Sequence, residues 1–168
     1  MRWVTQQNIQ IDRMAAGWLI CRFADPGAEV VFVPKGDASS ITDGIPFHFD
    51  GAEFSNRDGL STFETIVRKY GLAEKDPVLA TLGPIVRAAN DMHGPIRWGK
   101  PVAEALPADA PAEAALLHAA LHGARSIAKT DDEALSRASA ILDAVYAGLA
   151  LRGKITHPRA TEKAEAAS

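Results

Sequence analysis

The chain has 168 residues, of which 47% are hydrophobic and 23% charged, and this composition is typical of one folded domain with an extension. Its formal net charge of −3, without a Lys/Arg cluster, argues against a DNA-binding surface built by this chain alone. A single cysteine, Cys21, excludes an intramolecular disulfide and fits a reducing compartment. Because no apolar run approaches about 18 residues, we expect a cytoplasmic protein without a membrane-spanning segment.

The first third of the chain predicts a βαβ unit. A short strand at 3–5 precedes an apolar run at 12–24 that favours a helix, with Asp12 as its N-cap and a proline after Asp25 at its end. Consecutive β-favouring residues within 29–34 predict a second strand, covered on both faces and parallel to the first.

The remainder predicts helices after an irregular edge strand at 44–50. Apolar periodicity and capping patterns place these helices at about 61–71, 77–89, 111–128 and 131–152. The proline-rich segment 90–111 predicts a long loop with at most one short helix, and the tail at 154–168 is expected to be disordered. We therefore predict an α+β domain over 1–153, with a small N-terminal βαβ sheet and four to five helices that fill the C-terminal two-thirds.

The apolar first helix carries arginines near both of its ends. Arg13 lies in the predicted first turn, where free N–H groups and the helix dipole favour negative charge, and its guanidinium could complete an oxyanion pocket. A simpler interpretation leaves Arg13 solvated and pairs Arg22 with Asp25 three residues later. The sequence alone leaves both interpretations open.

A second set of polar residues could bind a metal ion or transfer protons. Glu53 belongs to the polar loop 50–59, and Asp91 and His93 lie two residues apart in a mixed polar cluster. Carboxylate and imidazole groups suit either role, but this spacing is common in solvated loops as well.

Two histidines share one stripe of a predicted helix. His118 and His122 lie four residues apart, a spacing that can chelate Zn²⁺. Ala119 stands where a metalloprotease motif requires glutamate, and Arg125 on the same side would repel a cation. These neighbours favour a surface or interface stripe over a metal site.

The opening run resembles the start of the chromate-resistance ChrB family, in the domain that forms the C-terminal part of its longer members. The resemblance rests on W-V-T at 3–5, I-D-R at 11–13, W-L-I-x-R-F-x-D-P at 18–26 and F-V-P at 32–34. Supporting blocks follow in register: IPF at 45–47, GAEFS at 51–55, Arg57, TFE at 62–64, IVRAAN at 85–90 and LDAVYAGL at 142–149.

This resemblance implies a part in chromate resistance, which in the longer members is linked to chromate-responsive control of an operon that includes an efflux pump. Where similar proteins tend to have Cys, His and Cys, this chain has Ala16, Asn56 and Ser61. If those groups bind metal or sense redox state in relatives, this chain has lost that function or moved it. The resemblance does not include the N-terminal part of longer members, so DNA binding by this chain alone is not expected.

We therefore predict a cytoplasmic chromate-response domain that binds an oxyanion or a metal ion. Its candidate ligand-binding residues lie in the matching segments: Asp12, Arg13, Trp18, Arg22, Asp25, Glu53 and Arg57. One alternative is an enzyme that holds a divalent metal ion with Glu53, Asp91 and His93. The other is an interaction module that forms a homodimer through the histidine stripe or the last two helices.

Overall fold

A computed structural model describes residues 1–36 and 38–152 of the chain. Its sheet contains three strands, β1 (Arg2–Gln6), β2 (Glu29–Val33) and β3 (Ile45–Pro46), in the order β2-β1-β3. Both outer strands run parallel to β1, which confirms the predicted βαβ unit. Strand β3 lies at an edge, the position that tolerates a proline because its missing N–H is not needed there.

The helices lie between and after these strands. In chain order they are α1 (Ile11–Leu19), α2 (Thr62–Lys69), α3 (Leu72–Lys75), α4 (Pro77–Asp91), α5 (His93–Arg97), α6 (Val102–Ala105), α7 (Glu113–Ile127) and α8 (Asp131–Arg152). Within the described residues, α1, α2, α4, α7 and α8 have eight or more residues, and the other three are single turns. The predicted α+β class and helix content are therefore confirmed.

Helix α1 is the centre of the core. Its Trp18 is buried and stacks on Phe63 of α2, with ring centroids 6.4 Å apart and nearly parallel planes. A Cβ atom added to Gly17 would lie 2.9 Å from Cδ1 of Leu135, so glycine is what allows α8 to pack this closely on α1. The first helix is thus covered by both the second and the last.

The predicted N-cap of the first helix is wrong, whereas its predicted end at Ala24 is confirmed. The residue at its N-cap is Gln10, which makes no side-chain capping bond, because the Asp12 carboxylate is directed to another helix. The α-helix ends at Leu19 and continues as a π-helical turn, Ile20–Ala24, closed by a 2.8 Å bond from Asp25 N to the Ile20 carbonyl. Such π turns relax the helical repeat locally and redirect the side chains that follow.

Two further predictions need correction. Strand β2 is an edge strand because β1 occupies the centre of the three-stranded sheet, and its apolar residues are half-buried, so the predicted cover on both faces is wrong. The segment 90–111 contains two short helices, α5 and α6, and α4 extends to Asp91. Pro95 is compatible with α5 because it lies in the first turn, where the missing N–H has no helical partner in any case.

Helix α8 has the predicted bounds, 131–152. By length and composition alone it could cross a membrane, which is weak evidence, and in the structure it packs against α1, α4 and α7. The predicted disordered tail, 154–168, lies outside the described residues.

Candidate functional site

The predicted anion position at the start of a helix is filled by the chain's own Asp12. This fully buried carboxylate accepts hydrogen bonds from the backbone N–H groups of Thr62, at 2.8 Å, and Phe63, at 3.1 Å. Ser61 and Glu64 form the predicted capping box at the same helix end. The N-terminus of α2 is therefore satisfied by protein groups and does not offer free N–H groups to an external anion.

His48 belongs to the same buried polar network. Its Nδ1 lies 2.8 Å from the Thr62 hydroxyl oxygen and 3.3 Å from Asp12 Oδ2. Because the Thr62 hydroxyl donates to Asn56 Oδ1 at 2.7 Å, it accepts the proton of His48 Nδ1. His48 adopts a φ of 57°, a left-handed conformation that is uncommon for a residue other than glycine. The network fixes this segment to α1 and α2, and the strand pattern predicted at 44–50 does not indicate it.

Arg13 and Arg22 have partners in the structure that differ from those predicted from the sequence. Arg13 is half-buried and donates to Gln6 Oε1 at 3.1 Å; burial lowers the pKa of its guanidinium, against the opposing effect of Asp12 and Asp131. Arg22 forms an ion pair with Asp143 of α8, with Nε 2.9 Å from Oδ1. The Arg22–Asp25 pair is therefore wrong.

Trp18 and Asp25 are also engaged within the protein. Trp18 Nε1 donates to the same Asp143 at 2.8 Å, and hydrogen bonding from Arg22 first and from Trp18 lowers the pKa of that carboxyl. Asp25 accepts from the N-terminal amine at 2.8 Å and from Trp3 Nε1 at 3.1 Å, and these bonds lower its pKa. Both residues thus connect parts of the fold instead of facing a cavity.

The proposed metal ligands do not come together. Glu53 Oε1 lies 2.8 Å from Lys69 Nζ, and this hydrogen bond lowers the pKa of Glu53. Asp91 and His93 line two different cavities. Within residues 1–36 and 38–152, no group of three or more His, Cys, Asp or Glu side chains is positioned to hold a metal ion.

The first of these cavities, here called the loop cavity, has a volume of about 400 Å³ and lies between the loop before α2 and the end of α4. Its lining includes Asn56, Arg57, Gly59, Leu60, Ser61, Arg87, Asn90 and Asp91. Arg57 is the one predicted ligand-binding residue that lines it. Arg87 and Asn90 belong to a family-like block of the sequence without a predicted role, and Ser61 was predicted only as a helix cap.

In each arginine of the loop cavity, only one side of the guanidinium makes hydrogen bonds to protein groups. Arg57 donates to the Ala52 carbonyl at 2.8 Å, and Arg87 Nε donates to Glu64 Oε2 at 3.0 Å. Their other N–H groups make no hydrogen bond to the described residues. Burial raises the pKa of Asp91, as do Asp12 and Glu64, whereas Arg87 lowers it. The cavity can therefore offer two fixed cations and several neutral donors to an oxyanion.

The second cavity, here called the histidine cavity, has a volume of about 530 Å³ and lies between α5 and α7. Its lining includes Gln10, His93, Ile96, Arg97, His118, His122, Arg125 and Ser126. The ring centroids of the three histidines are 5.3 to 6.0 Å apart. His118 is only 5% exposed and therefore does not lie on the surface of this chain, whereas His122 is exposed; the interface alternative stays a prediction.

Burial is the main influence on two of these histidines. It lowers the pKa of His93, with further lowering from His122 and Arg97, and the pKa of His118, with further lowering from His122 and His93. The Nε2 atom of His118 is buried and has no hydrogen-bond partner among the described residues. All three histidines were candidate residues in the sequence. The contact of His93 with the other two was not predictable, because it depends on how α5 packs.

Comparison with known proteins gives one family. The sequence matches the family described as "ChrB, C-terminal domain" over residues 3–149. It is 33% identical over 145 residues to "Protein ChrB" of Cupriavidus metallidurans, an alignment that covers 86% of this chain and 40% of that protein. The chain thus spans two-fifths of the length of this curated relative. No solved structure matches the chain.

Proposed function

Because the chain belongs to the family of the ChrB C-terminal domain, we propose that it acts in the chromate response as a domain that binds a tetrahedral oxyanion. The relative named Protein ChrB is longer than this chain, so the activity of that whole protein is not transferred here. We propose a cytoplasmic location as well. The rest of the proposal concerns the ligand and the site that binds it.

The loop cavity carries this proposal. It is the place where two arginines from segments that resemble the family, Arg57 and Arg87, line the same opening. The other candidate side chains around α1 are bonded to protein groups, as Asp12 and Arg22 illustrate. An oxyanion in the loop cavity would find guanidinium groups that still have donors to offer.

The chemistry of the lining suits a small dianion. Guanidinium groups donate in a planar fork that matches two oxygens of a tetrahedral anion, and Asn56 and Asn90 add neutral amide donors. Asp91 opposes binding through its charge, although its raised pKa makes protonation easier there than for an exposed aspartate. We therefore expect modest affinity, since the cavity is open to solvent and contains an acidic residue.

The experiment is calorimetric titration with chromate, and with sulfate and phosphate as anions of similar shape. We expect chromate to bind, and Arg57→Ala and Arg87→Ala each to weaken binding about tenfold, equivalent to about 1.4 kcal/mol. Arg137→Ala is the matched control, because Arg137 pairs with Glu133 on the surface of α8, away from the cavity lining.

Unchanged chromate binding in both folded cavity variants would overturn the site. The same titration with Zn²⁺ and Fe²⁺ tests the metal alternative, which predicts binding that Asp91→Ala or His93→Ala abolishes. Sedimentation with and without chromate tests the homodimer alternative, which predicts a dimer at micromolar concentration.

A further inference from the structure

We propose that the histidine cavity is a second anion site, separate from the loop cavity, which binds a phosphate-type dianion and takes up protons as it does so. The ligand class is a free tetrahedral oxyanion or the phosphate group of an organic ester. This proposal goes beyond the proposed function and does not depend on it, because the two cavities share no lining residue.

The charge of the lining is the first argument. Five of its eight residues are basic: His93, Arg97, His118, His122 and Arg125. No aspartate or glutamate is among them, although the whole chain has 21 acidic residues against 18 lysines and arginines. The protein as a whole is acidic, but the residues that line this cavity are mostly basic and none is acidic. The cavity therefore has a local positive potential.

Unsatisfied buried groups are the second argument. The Nε2 atom of His118 and the Nε atom of Arg125 are both buried without a partner in the described part of the chain. A buried polar atom that lacks a hydrogen bond destabilises a protein by about 1–3 kcal/mol. A bound oxyanion would accept hydrogen bonds from both side chains, and their positions in one cavity lining make this geometrically consistent.

A metal ion fits these observations less well. The histidine rings are close together, but two guanidinium groups line the same space and no carboxylate offsets the charge of a cation. The described residues also contain no ready-made set of metal ligands. A metal ion would also place positive charge beside Arg97 and Arg125, whereas an anion is attracted by both guanidinium groups.

Proton uptake follows from the environment of the histidines. His93 faces His122 and Arg97, His118 faces both other histidines, and the carboxylate of Asp131 on α8 lies 3.9 Å from the guanidinium of Arg125. Burial first, and then the neighbouring histidines and Arg97, lower the pKa values of His93 and His118, so protonation of these two rings is disfavoured in the free protein. A bound dianion raises these pKa values, and binding therefore strengthens as the pH falls.

The test uses sulfate as the first probe, because sulfate does not titrate between pH 6 and 8. Calorimetry at pH 6, in two buffers of different ionisation enthalpy, is expected to show net proton uptake. We expect sulfate to bind at least tenfold more tightly at pH 6 than at pH 8. His122→Gln and Arg97→Ala should each abolish most of this gain, and both residues are exposed, so these variants are expected to fold.

Arg137→Ala is the matched control and should leave this pH-dependent binding unchanged, because Arg137 pairs with Glu133 on α8 and lines neither cavity. Tighter binding of phenyl phosphate than of inorganic phosphate would identify an ester as the ligand source, and the reverse order a free anion. The proposal is overturned if sulfate binding is independent of pH, if the His122 and Arg97 variants bind sulfate as the unmodified protein does, or if only Zn²⁺ binds. The effect of Arg57→Ala on chromate binding tests only the loop cavity. Its outcome does not change the conclusion that the sulfate measurements give for the histidine cavity.

Discussion

The loop cavity and the histidine cavity are both lined by basic residues, but they hold their charge in different ways. The loop cavity has two guanidinium groups together with one carboxylate, Asp91. The histidine cavity has two guanidinium groups and three imidazoles, and its lining contains no carboxylate. Burial lowers the pKa values of His93 and His118, so the charge of the histidine cavity depends on pH.

The two cavities also differ in how firmly their walls are fixed. The loop cavity stands on the capped end of α2, which Asp12, Ser61 and Glu64 satisfy completely at its first N–H groups. The histidine cavity is formed partly by the short helix α5 and retains buried atoms without partners. We infer that the loop cavity is preformed and that the histidine cavity is completed by its ligand.

The largest expected effect is a loss of stability when the buried carboxylate at the N-terminus of α2, beside the loop cavity, is removed. Asp12→Ala leaves the N–H groups of Thr62 and Phe63 unpaired in a buried position and removes the acidic neighbour of His48. We expect the free energy of unfolding, measured with urea at pH 7, to fall by about 3 kcal/mol. Asp43→Ala, which removes an exposed pair with Arg2, should change it by less than about 1 kcal/mol. Equal losses in the two variants would contradict the role given to Asp12.

A smaller effect is expected where α2 and α4 approach each other. A Cβ atom at Gly83 would lie 2.9 Å from Cγ of Glu64, whose carboxylate is held by Ser61 N and Arg87. Gly83→Ala should destabilise the protein by about 1–2 kcal/mol and displace Arg87, so chromate binding should weaken while sulfate binding at pH 6 persists.

Gly123→Ala is the matched control for this substitution. Gly123 lies within α7 and no atom lies within 4 Å of its added Cβ, so alanine should raise stability by about 0.5–1 kcal/mol. Urea unfolding of both variants gives the comparison, and two changes of the same sign would contradict it.

The pH dependence of stability should separate the two cavities further. Because the pKa values of His93 and His118 are lowered in the folded state, the unfolded chain binds more protons below its own histidine pKa of 6.5. Stability should therefore be lost as the pH falls from about 6.5 to 5.5. The carboxylates with lowered pKa values, such as Asp25 and Asp143, lose their contribution only at lower pH, below about 4.

Urea unfolding at intervals between pH 8 and pH 5.5 measures this slope. His93→Gln should flatten it, and saturating sulfate should reduce or reverse it, because the anion stabilises the protonated histidines. Arg57→Ala should leave the slope of the free protein as it is. A slope that is the same with and without His93 would show that the buried histidines do not set it.

The smallest expected effect concerns the acidic residue of the loop cavity. Asp91→Asn removes a negative charge beside Arg87 and should strengthen chromate binding at pH 8 about two- to fivefold. The gain should shrink at lower pH, where the raised pKa of Asp91 already allows protonation. Sulfate binding through the histidine cavity should not change, and weaker chromate binding in this variant would show that Asp91 helps to orient the arginines.

Local features of the fold were predictable from the sequence, and partners across the fold were not. The βαβ unit, the capping box at Ser61 and the bounds of α8 follow from patterns within a few turns of chain, and all are confirmed. The family, predicted from the opening run, is confirmed by the match over residues 3–149. The partners of Asp12 and Arg22 lie 50 and 121 residues away, so spacing on one helix could not predict them.

For the candidate sites as well, single residues were predictable from the sequence, but their neighbours from other parts of the chain were not. Arg57 was predicted as an anion ligand from its loop and its family-like surroundings, but its neighbour Arg87 depends on how α4 packs beside that loop. For His93, the sequence suggested partnership with the nearby Asp91, whereas the short helix α5 turns its ring toward His118 and His122. Asp91 and His93, which lie two residues apart in the sequence, thus line two different cavities in the fold.

The last helix has a consequence for how this chain leaves the ribosome. Asp131, the first residue of α8, accepts hydrogen bonds from the backbone N–H groups of Asn8 and Ile9, and Asp143 binds Trp18. Helix α1 therefore receives part of its packing from α8. During translation β1 and α1 emerge before α8 and have an incomplete environment, and they reach their native packing only after α8 has cleared the exit tunnel. Nascent chains that stop before residue 131 should bind chaperones and be cleaved readily near Trp18, whereas the full chain should resist cleavage there.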